Sequence, residues 1–188
     1  GLKRLLLPSL KRETLTFLKE KASSEAITLF GKNLKELLLT PPLVNQVILG
    51  MDPGYVSGCK LAVIDENGNY LASNVIYPTK PKEDFITSAK IVLELIKKYK
   101  INSIAIGNGT ASQETAAFIS KLINENNLDV KYAVVSEIGA SVYSASKIAM
   151  MEYPNLDVTI RGAISIAQRL RDPMAALVKI DPKSLGIG

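Results

Sequence analysis

Histidine and tryptophan are absent from the 188-residue sequence, and cysteine occurs once, at Cys59. The absence of histidine excludes Ser-His-Asp and Cys-His catalytic groups, histidine-bound zinc and an imidazole base. A single cysteine excludes an internal disulfide framework and a zinc site built from several cysteines. Hydrolytic chemistry in this chain would therefore have to use carboxylates, Lys, Tyr, Ser or a carboxylate-bound metal ion.

Long apolar runs are also missing. None approaches the ~20 residues that a membrane-spanning helix needs, and the N-terminus does not have the layout of a signal peptide. With 47% hydrophobic and 22% charged residues, the composition is that of a folded domain. Because the chain starts at Gly1 and ends in Gly186-Ile187-Gly188, we expect a cytoplasmic piece of a longer protein, without a membrane partner.

The net charge of +5 is unevenly distributed. Residues 1–46 carry +4, residues 47–159 carry −2 and residues 160–188 carry +3. Basic ends suit a polyanion such as nucleic acid, and an acidic centre suits a metal ion held between carboxylates. The alternative for the first segment is a solvated helix face, and charge patterning alone favours that alternative.

Two regions are predicted from periodicity and breakers. Apolar residues recur at helical spacing from Ser9, a plausible cap, to about Leu39, with a break considered near residues 23–25. Thr40-Pro41-Pro42 ends this pattern, because proline cannot continue a helix. We therefore predict a helical arm with a proline linker over 1–42 and a separate domain over 43–188.

The second region predicts an α/β domain with the element order βββαβαβαα. Strands are predicted at 47–51, 60–64, 70–76, 103–106 and 131–135, and helices at 82–98, 112–126, 141–151, 161–171 and 173–179. The first three strands form an antiparallel meander with an Asn-Gly turn. Connection rules place the fourth and fifth strands beside the first, which gives a mixed five-stranded sheet with helices on its faces.

Polar residues follow the strands whose carboxyl ends share one edge of this sheet. Asp52 follows the first strand, Asn108 the fourth and Glu137 the fifth, and ligands bind at that edge in such sheets. Asp172, which opens the last helical piece, is the natural third acid. Three carboxylates would hold Mg²⁺ or Mn²⁺, and two ions about 4 Å apart can clamp a phosphodiester. The alternative to metal binding is a purely structural role, in which Asp52 forms a turn and Asp172 caps the helix that starts at Pro173.

A glycine-containing loop, Gly107-Asn108-Gly109-Thr110-Ala111-Ser112, joins the fourth strand to a helix. Its backbone amides could bind phosphate at the helix N-terminus. The alternative is an ordinary turn in which Thr110 or Ser112 caps the helix. No Walker A sequence follows these glycines.

Four longer segments resemble the YqgF domain of the Tex family of bacterial transcription accessory proteins. These segments are 49–60, 104–112, 136–146 and 161–173. Residues 178–188 are similar to that family's lead into a helix-hairpin-helix region, and residues 3–9 resemble the helical segment that precedes the domain. The resemblance therefore covers essentially the whole chain.

The resemblance implies an RNase H-like fold, shared with Holliday-junction resolvases of the RuvC type. Asp52, Glu137 and Asp172 fall at the places where related YqgF nucleases carry metal-binding catalytic acids, whereas Asn108 stands where RuvC-type enzymes have another acid. The residues expected to contact nucleic acid are Lys60, Asn108, Thr110, Ser112 and Arg161. The implied partners are RNA or DNA, the transcription machinery, and further N- and C-terminal modules of the same longer protein.

Two functions from different classes follow. The leading hypothesis is a nucleic-acid-binding domain of a Tex-like transcription accessory factor, without robust catalysis and with no cofactor required for binding. The alternative is a nuclease dependent on Mg²⁺ or Mn²⁺, in which Asp52, Glu137 and Asp172 are the ligands. A phosphotransferase of the actin-like kinase class is disfavoured, because those enzymes need two such domains.

Overall fold

A computed structural model describes residues 2–186 of the chain. By their internal contacts these residues divide after Leu39 into two units, the second of which runs from Thr40 to Gly186. The division falls at the start of the Thr40-Pro41-Pro42 segment. Each unit has its own architecture.

The first unit consists of helix. A π-helical stretch, Leu2–Leu6, leads into a 32-residue α-helix, α1 (Leu7–Leu38), and none of its residues is buried. The helix does not break near residues 23–25, and the Thr28 hydroxyl donates to the Ser24 carbonyl within the continuous helix. Ser9 lies within the helix rather than capping it, since Pro8 already stands at its first turn.

The second unit is built on five strands: β1 (Ile48–Asp52), β2 (Cys59–Ile64), β3 (Tyr70–Ile76), β4 (Ser103–Gly107) and β5 (Lys131–Val135). They lie in the order β3-β2-β1-β4-β5, with β1 antiparallel to β2 and parallel to β4, which is in turn parallel to β5. The order and directions confirm the predicted RNase H-like mixed sheet. The carboxyl ends of β1, β4 and β5 therefore meet at one edge.

Six α-helices and a short 3-10 helix, Pro182–Ser184, accompany the sheet within residues 40–186. The α-helices are α2 (Phe85–Tyr99), α3 (Ser112–Glu125), α4 (Ala140–Ser144), α5 (Lys147–Glu152), α6 (Val158–Arg171) and α7 (Pro173–Leu177). The single helix predicted over 141–151 is wrong, since α4 and α5 are separate. The Ser146 hydroxyl accepts a hydrogen bond from the Ala149 amide and so starts a new helix. None of the helices within residues 2–186 has the length and apolar character to cross a membrane.

The three central strands, β1, β2 and β4, are buried on both faces, whereas the edge strands β3 and β5 are partly exposed. One core cluster, which includes Val92 of α2 and Ile119 of α3, covers the first face, and α6 covers the other. Gly50 in the middle of β1 allows α6 to come unusually close, because a β-carbon there would stand 2.8 Å from the β-carbon of Ala167. This close contact fixes the path of α6 across the sheet and carries its first half past the end of β1.

Candidate functional site

A cleft of about 350 Å³ lies at the edge where the parallel strands end. Its lining consists mostly of small and polar side chains: Asp52, Glu137, Ala140, Ser141, Ser144, Val158, Thr159 and Gly162. The sheet, α4 and the first half of α6 supply these residues. The structure thus brings Asp52 and Glu137 together in one cleft, as their positions after β1 and β5 predict.

Asp52 is the last residue of β1 and faces the first half of α6. A β-carbon on Gly162 would stand 3.1 Å from its Oδ2 atom, so the helix passes directly over the carboxylate. On the neighbouring strand Asp52 pairs with Lys60. The position on α6 nearest to Asp52 therefore carries no side chain, and the next lining residue, Thr159, is neutral.

Glu137 rests on the Gly107-Asn108-Gly109 loop. A β-carbon on Gly107 would stand 2.6 Å from its Oε2 atom, and one on Gly109 would be closer still to Oε1. The Glu137 amide donates to the Asn108 side-chain oxygen at 3.0 Å. The two glycines thus make room for a carboxylate, and a negative charge already occupies the space beside this loop.

The start of α3 lacks the side-chain cap that one interpretation of this loop predicted. Its first flanking residue is Ala111, which has a left-handed backbone conformation and provides no side-chain cap. Neither Thr110 nor Ser112 makes the predicted capping hydrogen bond. A phosphate at these amides would also face the Glu137 carboxylate, so the loop is better suited to positioning this acid than to binding an anion.

The two carboxylates of the cleft influence each other. Partial burial raises the pKa of Asp52 to about 6, the negative charge of Glu137 adds to this rise, and Lys60 opposes it. Burial and the Asp52 charge together raise the pKa of the Cys59 thiol. The thiol therefore stays protonated, and Cys59 is a small buried residue that is not suited to act as a nucleophile.

Arg169 is a residue of this region that sequence reasoning missed. It is 6% exposed, and its Nη1 atom donates to the Ser136 carbonyl at 2.7 Å, directly before Glu137. Its Nε and Nη2 atoms are buried without a hydrogen-bond partner in residues 2–186. Burial lowers the pKa of Arg169 to about 10, and the Glu137 charge opposes this change. Arg169 lies seven residues after Gly162, on the same helix face, and this spacing was the available signal.

Asp172 does not line the cleft. Its side chain accepts a hydrogen bond from the Ala175 amide at 2.9 Å and so caps α7. It follows Gly162 by ten residues, which corresponds to roughly 15 Å along a helix. Across residues 2–186, no group of three or more His, Cys, Asp or Glu side chains is placed to hold a metal ion.

Two basic residues predicted to contact nucleic acid are turned into the protein. Lys60 is 8% exposed, and its amine donates to the carbonyls of Ser57 and Gly58 at 2.8 and 3.0 Å. Arg161, also 8% exposed, donates to two backbone carbonyls at 3.1 and 3.4 Å. Their charged groups donate hydrogen bonds to backbone carbonyls inside the protein and are not available at its surface.

The three neutral residues predicted to contact nucleic acid lie on the loop that carries Glu137. Ser112 is buried, whereas Asn108 and Thr110 are exposed. Asn108 is already engaged with the amide of Glu137. Thr110 is thus the residue of this predicted set whose side chain is both exposed and uninvolved in positioning Glu137.

The donor set of the cleft limits the metal ions that it could hold. Asp52 and Glu137 provide carboxylate oxygens of the kind that Mg²⁺ and Mn²⁺ prefer, and Mg²⁺ is often bound by one or two carboxylates with several waters. The set therefore fits one ion. It does not fit the two adjacent ions of a phosphodiester clamp, because the third carboxylate, Asp172, is at the far end of α6.

Comparison with known proteins identifies the family. Residues 46–171 match the model of the Tex protein YqgF-like domain, which is two thirds of the chain. The chain therefore belongs to the Tex YqgF-like domain family, as its resemblance predicted. The match covers the whole sheet and ends with α6.

Relatives extend the similarity to almost the full chain. It is 48% identical over 99% of its length to the uncharacterized protein YdcI of Bacillus subtilis, and 47% identical over 97% to Protein tex of Bordetella pertussis. It is 44% identical over 99% to the human S1 RNA-binding domain-containing protein 1. The chain spans 26%, 23% and 19% of these proteins. The Thermus thermophilus RuvC structure shares 17% identity at a TM-score of 0.48, over 71% of this chain and 95% of that one.

Proposed function

We propose that this chain is a nucleic-acid-binding, RNase H-like part of a cytoplasmic Tex-like transcription accessory protein and that it does not cleave nucleic acid robustly. One observation carries the second half of the proposal. The residue of α6 that faces Asp52 is Gly162, so the cleft contains two carboxylates where the predicted nuclease site needs three. Membership of the Tex YqgF-like family and the basic ends of the chain support the first half.

Phosphate neutralisation supplies the binding energy in this proposal. Basic side chains that contact phosphates release counterions, so affinity falls steeply as salt rises. No metal ion or other cofactor is needed for such binding. Because the relatives are about four to five times longer than this chain, their additional modules and the transcription machinery are proposed partners of the whole protein.

Fluorescence anisotropy of the full chain with labelled RNA and DNA tests binding. Single-stranded RNA, single-stranded DNA and a DNA duplex are titrated at several salt concentrations. We expect log Kd to change linearly with log salt, with a slope of roughly 0.7 per phosphate contact on a single strand. Equal affinity at low and high salt, or no binding at low salt, would contradict the proposal.

The second candidate is the Mg²⁺- or Mn²⁺-dependent nuclease. It is favoured by the shared cleft of Asp52 and Glu137, because a bound divalent ion would relieve the repulsion between these carboxylates. Such an ion would supply a Lewis acid beside a phosphodiester. The test is incubation of branched and single-stranded substrates with Mn²⁺, comparing the native chain with Asp52→Asn. Cleavage that is lost with the substitution would establish the nuclease, whereas cleavage that survives it would indicate a contaminant.

A further inference from the structure

Four exposed lysines lie at the edge of the sheet opposite the cleft. Lys97 and Lys98 end α2, Lys100 follows it directly, and Lys131 is the first residue of β5. β4 and β5 begin side by side, with Ser103 opposite Lys131. We term these four residues the amino-edge lysines, because they lie where the parallel strands begin.

Backbone hydrogen bonds bring the two segments that carry these lysines together. The Lys131 amide donates to the Asn102 carbonyl at 3.2 Å, and the Asn102 amide donates to the Val47 carbonyl at 3.0 Å. The Asn102 side chain accepts from the Val47 amide at 3.0 Å. The lysines therefore project from one fixed framework at the start of β4 and β5.

The amino-edge lysines have no counter-charge. Within residues 2–186 none of them has a carboxylate at ion-pair distance, and the pairs that do form involve Lys121 and Lys179. The segments 97–102 and 127–132 contain one acid, Asp129, against four lysines. The ammonium group of Lys98 lies 5.1 Å from the centre of the Tyr99 ring, which leaves its charge uncompensated.

Helix stabilisation explains only part of this arrangement. Lys97 and Lys98 interact favourably with the negative end of the α2 dipole. Lys131 starts a strand and gains nothing from the dipole. Lys100 has a left-handed backbone (φ 54°), a position that usually carries glycine because a β-carbon there is unfavourable. This position therefore carries a lysine although its backbone conformation favours glycine.

We infer that the amino-edge lysines are the surface with which this domain binds the phosphate backbone of nucleic acid. The inference rests on the proposed nucleic-acid-binding function and locates this binding at the amino edge of the sheet. The cleft presents two carboxylates, and the basic groups beside it, Lys60, Arg161 and Arg169, donate to backbone carbonyls. A phosphate is therefore repelled at the cleft and attracted at the opposite edge.

A charge-matched pair of variants tests this surface in the full chain. The first variant combines Lys97→Glu, Lys100→Glu and Lys131→Glu. The second combines Lys80→Glu, Lys82→Glu and Lys147→Glu, which are exposed lysines away from both the amino edge and the basic ends of the chain. Both variants lose the same net charge and both keep the basic arm, so any difference reports location. The probe is a fluorescein-labelled 20-nucleotide RNA strand, and circular dichroism checks that both variants are folded.

The amino-edge variant is expected to raise Kd by about tenfold or more at ~0.1 M salt and to reduce the salt slope by roughly 2, since three phosphate contacts are lost. The control variant is expected to change Kd by less than about threefold, through long-range charge alone. An equal or larger loss in the control, or no loss in either variant, would overturn the inference while binding itself stands. If the native chain does not bind the strand at low salt, the proposed function fails and the inference falls with it.

Discussion

The carboxylate of Glu137 occupies the space in which a β-carbon on Gly109 would have to stand. These residues are 28 positions apart, and the contact explains why a small residue is required between β4 and α3. The loop provides a seat for the acid of the neighbouring strand. It therefore helps to set where Glu137 faces Asp52 across the cleft.

Substitution of Gly109 by alanine tests this seat. The added methyl group would collide with the Glu137 carboxylate, which is the far end of a flexible side chain, so Gly109→Ala should displace this carboxylate and destabilise the domain by about 1 kcal/mol or less. Urea unfolding measures the loss, and the amide resonances of Asn108 and Glu137 report the displacement. Gly31→Ala is the control, because a β-carbon there meets nothing within 4 Å and alanine favours a helix. Unchanged stability and resonances in Gly109→Ala would contradict the packing described here.

Two substitutions of Asp172 separate a helix cap from a metal ligand. Asparagine caps helices about as well as aspartate, so Asp172→Asn should leave stability nearly unchanged, whereas Asp172→Ala should cost about 1 kcal/mol. Chemical denaturation gives both values. If Asp172 instead bound a metal, Asp172→Asn would abolish a stabilisation by Mn²⁺ that the native chain shows. That result would show that Asp172 is a metal ligand.

Asp52 should make stability depend on pH. Its pKa is about 6 in the folded chain against an ordinary value of 3.8, so the folded state holds this proton more tightly than the unfolded state. The native chain should therefore lose stability as pH rises from about 4 through 6. Relative to native, Asp52→Asn should gain on the order of 1–2 kcal/mol over this range, discounted for the partial exposure of the group. Urea unfolding in a metal chelator measures this, and a pH-independent difference would contradict it.

Arg169 forms no ion pair within residues 2–186, yet its burial and its hydrogen bond to the Ser136 carbonyl should contribute to the free energy of unfolding. Arg169→Ala leaves the Ser136 carbonyl without its donor and opens a cavity, which should cost on the order of 3 kcal/mol. Arg169→Lys can donate to the same carbonyl and should recover part of this loss. Lys147→Ala, at an exposed position, should stay within about 0.5 kcal/mol. Equal losses in the alanine and lysine variants of Arg169 would show that the Ser136 contact contributes little.

The sequence allowed the sheet and half of the site to be predicted. The end of β1 could be placed because this strand is a continuous apolar run, and the end of β5 because its apolar residues Ala133-Val134-Val135 stop at Ser136, so Asp52 and Glu137 follow directly. Asp172 could not be positioned relative to them, because an Asp-Pro pair gives only a local signal for a helix start. Its distance from the cleft depends on the full length of α6, which begins three residues before the predicted Arg161.

Contacts between distant segments could not be predicted in the same way. Three such contacts shape the site: Gly109 with Glu137, Gly162 with Asp52, and Arg169 with Ser136. A single sequence does not show that these residues meet. The burial of Lys60 and Arg161 could not be predicted from the sequence either. Their charge indicated a ligand, but their burial against backbone carbonyls depends on where the loop after β1 and the end of α4 lie.

One measurement tests the central claim that this domain binds nucleic acid without robust cleavage. Labelled single-stranded and branched substrates are incubated with the full chain and Mn²⁺ at a salt concentration where anisotropy shows them bound, and their lengths are then followed on a denaturing gel. We predict bound and intact substrates in both the native chain and Asp52→Asn. Cleavage by the native chain that disappears in Asp52→Asn would contradict the claim and establish the two-carboxylate cleft as a working nuclease site.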